Sequence, residues 1–316
     1  MDAAPTERPT PSAAELELTV DGRSLRVPDD GSTLLEVLRT YAGAESAKDG
    51  CAPQGQCGCC TVLVDGQARV SCVTPARRVA GRVVTTLDGL DPEVRDRWAA
   101  AVTACGGSQC GVCTPGIVTR LVALDEKKPG ATAADVERAL AAHLCRCTGW
   151  QTVVEAWELQ RSGDPSAALE GRDLDAASSR ATVECGVPQR VGTEVSLGRA
   201  GFAADTAPDD ALVAVPDGEG GWTVAETLHA ARQAAGKVQG RRTTEPASPP
   251  LEVPEGEWAA TLATCWVEAA YVETDASWCA PGGTPAPAAA NGGAFGAKRG
   301  SVLPAAAQAL AEEHGR

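Results

Sequence analysis

The sequence predicts an α+β protein: a small mixed unit of strands around one helix, then an all-helical unit, then a longer and less regular segment. Three observations carry this. Strand-like runs before residue 75 are twice interrupted by Asp-Gly. Devices that start helices recur from Asp91 onward. Beyond Thr182 the chain turns rich in Gly, Pro and Ala, with few periodic stretches.

"ELELTV" (Glu15 to Val20) and "SLRV" (Ser24 to Val27) flank Asp21-Gly22-Arg23, a hairpin signal. "STLLEVLRTY" follows, with Leu34, Leu35, Val37 and Leu38 at helical spacing and Thr33 and Glu36 as a capping-box pair. "TVLV" and "ARVSCV" surround Asp65-Gly66, a second hairpin, and "RVVTTL" reads as a last strand ending near Leu90. Asp91-Pro92 then starts a helix through "PEVRDRWAAAVTAC". Thr114-Pro115 starts another, Thr132 with Asp135 a third through "AADVERALAAHLC", and "TVVEAWELQ" is a short fourth. Small polar residues from 162 to 181 suit a linker. In the remainder, "TVAETLHAARQAAG" reads as one helix and "EWAATLATCWVEAAYVE" as a strand pair.

The 316 residues carry a formal net charge of −14, which argues against nucleic acid or an anionic membrane as partner. Aromatic residues make up only 3%, so burial must rest on Ala, Val and Leu. No apolar run reaches the roughly 18–20 residues that a membrane helix needs. Residues 1–14 are polar and proline-rich, unlike a signal peptide, and read as a disordered tail. A cytoplasmic location is therefore expected, where thirteen cysteines suit metal rather than disulfides.

Two cysteine sets stand out. Cys51, Cys57 and Cys60 lie on a loop with Gly50, Gly55 and Gly58, and Cys72 joins them from the far arm of the following hairpin. The C-x2-C of Cys57 and Cys60 lets one turn of chain present two sulfurs to one centre. Glycines let backbone N–H groups approach anionic sulfur. The spacing approaches the plant-type ferredoxin pattern, with one residue too many after Cys51 and with Cys59 as an alternative to Cys60. Cys110, Cys113, Cys145 and Cys147 form the second set, in "SQCGVCTPG" and "HLCRCTGW", where a helix hairpin would unite them. Zinc also takes four thiolates in paired spacings, and spacing alone leaves it open. Cys105, Cys185, Cys265 and Cys279 read as ordinary buried thiols.

The motifs "KDGC…GQCGCCTVLVDG…SC", "SQCGVCTPGIV" and "LCRCTGW" resemble the iron–sulfur subunit of the molybdenum hydroxylases, over about Glu15 to Gln160. The resemblance implies a β-grasp 2Fe–2S ferredoxin domain at 15–90 and an all-α four-helix 2Fe–2S domain at 91–161. After a linker at 162–181, it implies a partial mixed α/β segment at 182–316, similar to the start of the molybdopterin-binding large subunit. It assigns Cys51, Cys57, Cys60 and Cys72 to an outer cluster, and Cys110, Cys113, Cys145 and Cys147 to an inner one. Gln109 would lie beside molybdopterin. "NGGAFGAKRG" resembles the family's glycine-rich segment near molybdenum, so Gly292, Gly293, Phe295 and Gly296 would also contact that cofactor. In the family the large subunit continues for several hundred residues, to a catalytic glutamate, and Glu312 and Glu313 match no such motif. The implied role is thus electron transfer, with no catalytic residue in this chain. The implied partners are a molybdopterin-binding large subunit and an FAD-binding medium subunit. A zinc-stabilised scaffold and a free ferredoxin-like carrier are the rival readings.

Overall fold

Asp21 (φ 48°) and Gly22 (φ 78°), then Asp65 (φ 47°) and Gly66 (φ 75°), all take positive φ. Two-residue turns of this kind match the twist of paired strands. The computed structural model describes residues 14–51, 53–185, 190–236, 252–262, 272–288 and 297–316. In it the first turn joins β1 (Glu15–Val20) to β2 (Arg23–Pro28), with Val20 opposite Arg23. Helix α1 (Leu34–Tyr41) follows, and the second turn joins β3 (Thr61–Val64) to β4 (Gln67–Val70). Strand β5 (Val83–Thr85) knits the hairpins, parallel to β1 and antiparallel to β3, in the order β2-β1-β5-β3-β4.

Thr33 caps α1 as its sequence signals. The Thr33 N–H donates to Glu36 Oε2 at 2.9 Å, and the Glu36 N–H to Thr33 Oγ1 at 3.3 Å. Leu34, Leu35, Val37 and Leu38 then pack on Leu18, Val20, Val62, Val64 and Val84. Strand β3 is buried on both sides. Because side chains alternate along a strand, Val62 and Val64 face α1, whereas Leu63 joins a second core with Ile117 and Leu121.

That second core belongs to the helices. Asp91 Oδ1 accepts from the Glu93 and Val94 N–H groups to start α2 (Pro92–Ala104). Helices α3 (Thr114–Lys127), α4 (Ala133–Ala139) and α5 (Trp150–Ser162) follow. Helix α4 stops at Ala139 instead of running on to Cys145, so His143 to Gly149 form a loop. The stretch 162–181, expected to be a linker, instead carries α6 (Pro165–Glu170) and the start of α7 (Leu174–Cys185). Asp164 caps α6 by accepting from the Ala167 N–H, the same device used at Asp91. Arg97 on α2 donates to the carbonyls of Gln160 and Gly163, holding this turn in place.

Beyond it lie α8 (Thr193–Ser196), α9 (Ala203–Thr206), the antiparallel pair β6 (Val213–Pro216) and β7 (Trp222–Ala225), α10 (Leu228–Ala234) and α11 (Leu303–His314). The single helix expected over "TVAETLHAARQAAG" is split, because Val224 pairs with Ala214 and Thr227 starts α10 by accepting from the Ala230 N–H. Residues 257–262 of the expected strand pair form no strand, and 263–271 lie outside the described residues. So do residues 1–13 of the tail. No described helix is long and apolar enough to cross a membrane.

The two units meet where α3 presses on the loop before β3. A Cβ on Gly116 would fall 2.1 Å from the Gly58 carbonyl oxygen and 3.0 Å from Cys59 Cα. Gly116→Ala is therefore expected to cost about 2–3 kcal/mol, as overpacking against backbone does, read as a lowered urea midpoint. A second expectation concerns α4. Lys128, the Thr132 N–H and Arg138 hold the Asp135 carboxyl well below its ordinary 3.8. A carboxylate lowered on folding stabilises above its unfolded pKa and loses that contribution as pH falls. Asp135→Asn should thus be less stable than the parent at neutral pH. The gap should begin to narrow below about pH 4 and go on narrowing as pH falls toward the lowered folded-state pKa.

Candidate metal centres

Cys51, Cys57 and Cys60 of the outer set sit on the loop joining α1 to β3, and Cys72 comes from the far end of the β3–β4 hairpin. Cys60 lies immediately before β3 and Cys72 just after β4, so the hairpin register brings them together. The Cys72 N–H donates to Cys60 Sγ at 3.4 Å, and Ser71 donates from N and Oγ to the Cys60 carbonyl at 3.2 and 2.7 Å. Cys51 closes the group: its sulfur is in hydrogen-bond contact with those of Cys57 and Cys72 and accepts from the Gln54 N–H at 3.1 Å. The protons are shared unevenly. Cys57 and Cys72 donate to Cys51, which drives the Cys51 thiol far down and the two donors far up. Cys60 is likewise lowered by Cys72.

The inner set is assembled from two loops. Cys113 is the N-cap of α3, where the positive end of a 14-residue helix favours anionic sulfur. Its sulfur contacts Cys145, while Cys110 contacts Cys147. The Cys145 thiol is pushed down to about 5 by the hydrogen bond from Cys113 and by backbone N–H groups, including that of Thr148 at 3.3 Å. Cys113 and Cys110 are pushed up by the same pairing and by burial. Thr148 Oγ1 donates to the Gly107 carbonyl at 3.4 Å, tying the loops to each other. Among the described residues no three His, Cys, Asp or Glu side chains converge on one single-ion position. The inner sulfurs lie in two pairs instead, and the outer ones in a chain running Cys57, Cys51, Cys72, Cys60.

The sets touch through backbone. The Leu144 N–H, one residue before Cys145, donates to the Cys57 carbonyl at 2.9 Å. Cys59, fully buried, lies between them: it packs with Cys57, Cys110 and Cys113, whereas Cys60 packs in the α1 core. Cys105 and Cys279 stand apart from both sets, the first at the end of α2. Cys265 lies outside the described residues, as do Gly292, Gly293, Phe295 and Gly296. Gln109 is half-buried on the loop before Cys110, and its Nε2 donates to the Gly106 carbonyl at 3.3 Å.

Comparison with known proteins bears directly on these loops. Residues 18–85 match the model of the 2Fe–2S iron–sulfur cluster binding domain, and residues 86–158 match that of the [2Fe-2S] binding domain. The nicotine 6-hydroxylase small subunit of Paenarthrobacter nicotinovorans is 39% identical over 150 residues, covering 47% of this chain and 90% of that protein. The xanthine dehydrogenase iron–sulfur-binding subunit of Escherichia coli is 38% identical over 143 residues, covering 44% and 89%. The chain belongs to the iron–sulfur subunits of the molybdenum hydroxylase family. Among solved structures, the aldehyde oxidoreductase of Desulfovibrio gigas superposes with a TM-score of 0.50 at 29% identity. The likeness covers 64% of this chain, more than the two domain matches span, and 23% of that enzyme.

Four features around the sulfurs escape a reading of the sequence. Lys48, 5% exposed at its side chain, is ion-paired with Asp205 and lies 5.0 Å from the centroid of the Phe202 ring. Burial pushes its ammonium down despite that carboxylate. Asp205 also accepts from Arg39 Nη2 at 2.7 Å, so residues of α1, of the outer loop and of α9 share one carboxylate. Second, Arg232 on α10 donates to Asp49 at 2.8 Å, and His229 lies 3.2 Å from Glu36. Third, Lys298 and Glu273 form an ion pair at 3.2 Å with side chains only 1% and 2% exposed, and the Glu273 charge acts on Cys110 and Cys147. Last, His143 is buried with Nε2 3.1 Å from Thr61 Oγ1, and burial pushes it down to about 4. None has a local signal, because each partner is distant in sequence. Asp205→Ala would strand the Lys48 charge, and a loss of about 3–5 kcal/mol is expected from breaking such a pair. Urea unfolding measures it, and a loss below about 1 kcal/mol would refute the pairing as a stabilising contact.

Proposed function

We propose that this subunit passes single electrons through two 2Fe–2S clusters, between a molybdopterin site held mostly by a partner chain and an external acceptor. The observation that carries the reading is the hydrogen bond from Leu144 N–H to the Cys57 carbonyl, which joins the two cysteine sets by one short link. Each cluster, when bound, supplies a one-electron redox couple, and the cysteines are its ligands rather than catalysts.

The donor set fits. Cys51, Cys57, Cys60 and Cys72 would hold the outer cluster, and Cys110, Cys113, Cys145 and Cys147 the inner one. The pairs Cys110–Cys147 and Cys113–Cys145 would together supply the four thiolates that hold the inner cluster. Binding displaces the protons these thiols now share. The N–H groups of Gln54, Cys72 and Thr148, already aimed at sulfur, then stabilise negative charge on the ligands. Cys57 and Cys145 are the natural exit and entry points, since the chain between Cys145 and Leu144 is a single peptide.

The domains are proposed at 15–90 and 91–161, with the segment 182–316 as a portion of large-subunit character. The extent of the likeness to aldehyde oxidoreductase supports the last point. Gln109, on the loop of the inner set, is proposed to lie beside the pterin. The small-subunit relatives support a large molybdopterin-binding partner, and a cytoplasmic setting suits reduced thiols.

Metal analysis of anaerobically prepared protein should return iron and acid-labile sulfide, with two sets of 2Fe–2S EPR signals on reduction. Cys145→Ser or Cys147→Ser should abolish the inner signal and spare the outer, and Cys60→Ser should do the reverse. Zinc in place of iron, or retention of both signals in all three variants, overturns the assignment.

A further inference from the structure

The outer loop together with Cys72 carries one sulfur more than a 2Fe–2S cluster takes. Cys59 is 0% exposed. Its sulfur and that of Cys57 converge on Gly50, where an added Cβ would lie 2.8 Å from Cys59 Sγ and 3.2 Å from Cys57 Sγ. The two sulfurs are in hydrogen-bond contact. The Cys59 thiol donates to the Cys57 carbonyl oxygen at 3.8 Å and is in hydrogen-bond contact with the Cys57 sulfur, which becomes an acceptor once it is a thiolate. The carbonyl already accepts the Leu144 N–H at the much shorter 2.9 Å. The sulfur, as an iron-bound thiolate, carries negative charge, and hydrogen bonds to charged acceptors are the strong ones.

We propose that Cys59 is a positioning residue of the outer cluster, whose S–H donates to the Cys57 sulfur and makes that cluster easier to reduce. The inference rests on the electron-transfer reading above. On reduction the cluster gains one electron and its ligand sulfurs become better acceptors. A donor at Cys57 therefore stabilises the reduced form more than the oxidised one. No bond is made or broken, and the thiol proton stays on Cys59. Gly50 provides the space, since any side chain there would displace one of the two sulfurs. Cys60 remains the ligand because it faces Cys72 in the other core.

The test is a potentiometric EPR titration of the full chain, comparing wild type with Cys59→Ala and Cys59→Ser. Cys59→Ala removes the donor and should weaken outer-cluster reduction about tenfold, a fall of about 59 mV for a one-electron couple. The inner cluster should hold its potential. Cys59→Ser restores an O–H donor and should return the outer cluster to within about threefold of wild type (half of a tenfold step on the logarithmic scale). An unmoved potential in Cys59→Ala, an equal fall in both variants, or loss of the outer signal in Cys59→Ser would each overturn the proposal. Should a variant fail to fold, reduction-induced infrared difference spectra of the wild type serve instead. A shifted S–H stretch supports the bond, and an unmoved one refutes it. Wild-type protein without any 2Fe–2S signal would sink the electron-transfer reading itself, a result distinct from every outcome above.

Discussion

A helix can rest directly on the backbone of a loop only where it carries no side chain, and Gly116 provides that place. Its contact with Gly58 and Cys59 sets how closely α3 approaches the outer cysteine loop. The rest of the arrangement depends on this approach. With α3 seated, Cys113 at its N-cap faces the same core as Cys57 and Cys59, and the loop before Cys145 comes within reach of the Cys57 carbonyl. Strand β3 completes the junction, because a strand buried on both sides belongs to two cores at once. In the turn just before β3, Cys59 joins the helical core and Cys60 the α1 core.

What could be read from the sequence was what local chemistry dictates. Asp21-Gly22 and Asp65-Gly66 announce their turns, and Thr33 with Glu36 announces the start of α1, because these residues act on their own backbone. Asp91-Pro92 and Thr132 with Asp135 did the same for two helices. Cys57 with Cys60, Cys110 with Cys113, and Cys145 with Cys147 each share one short loop, as their spacing suggests. What stayed hidden depends on distant partners. Asp164-Pro165 is as good a helix start as Asp91-Pro92, but the small polar residues around it masked the signal. The end of α4 at Ala139 follows from where the Cys145 loop must reach, and nothing in "ERALAAHLC" marks it. The burial of Lys48 depends on Asp205, 157 residues away.

Charge around the sulfurs is distributed with some economy. An anionic ligand set is stabilised by amides that cost no extra charge, at Gln54, Cys72 and Thr148. The full charges that come near are themselves paired: Lys48 with Asp205, and Lys298 with Glu273. Pairing matters because a lone buried charge is costly. It also keeps the local field from being dominated by one sign.

Asp205 and Arg232 reach α1 and the outer loop from the same polypeptide that carries the cysteines. Between separate chains, contacts of this kind would come and go with protein concentration. Tethered, they work at an effective concentration on the order of millimolar, whatever the dilution. The covering of the outer loop by this segment is thus fixed at one copy per molecule, and any larger assembly inherits that stoichiometry from the gene rather than from mass action.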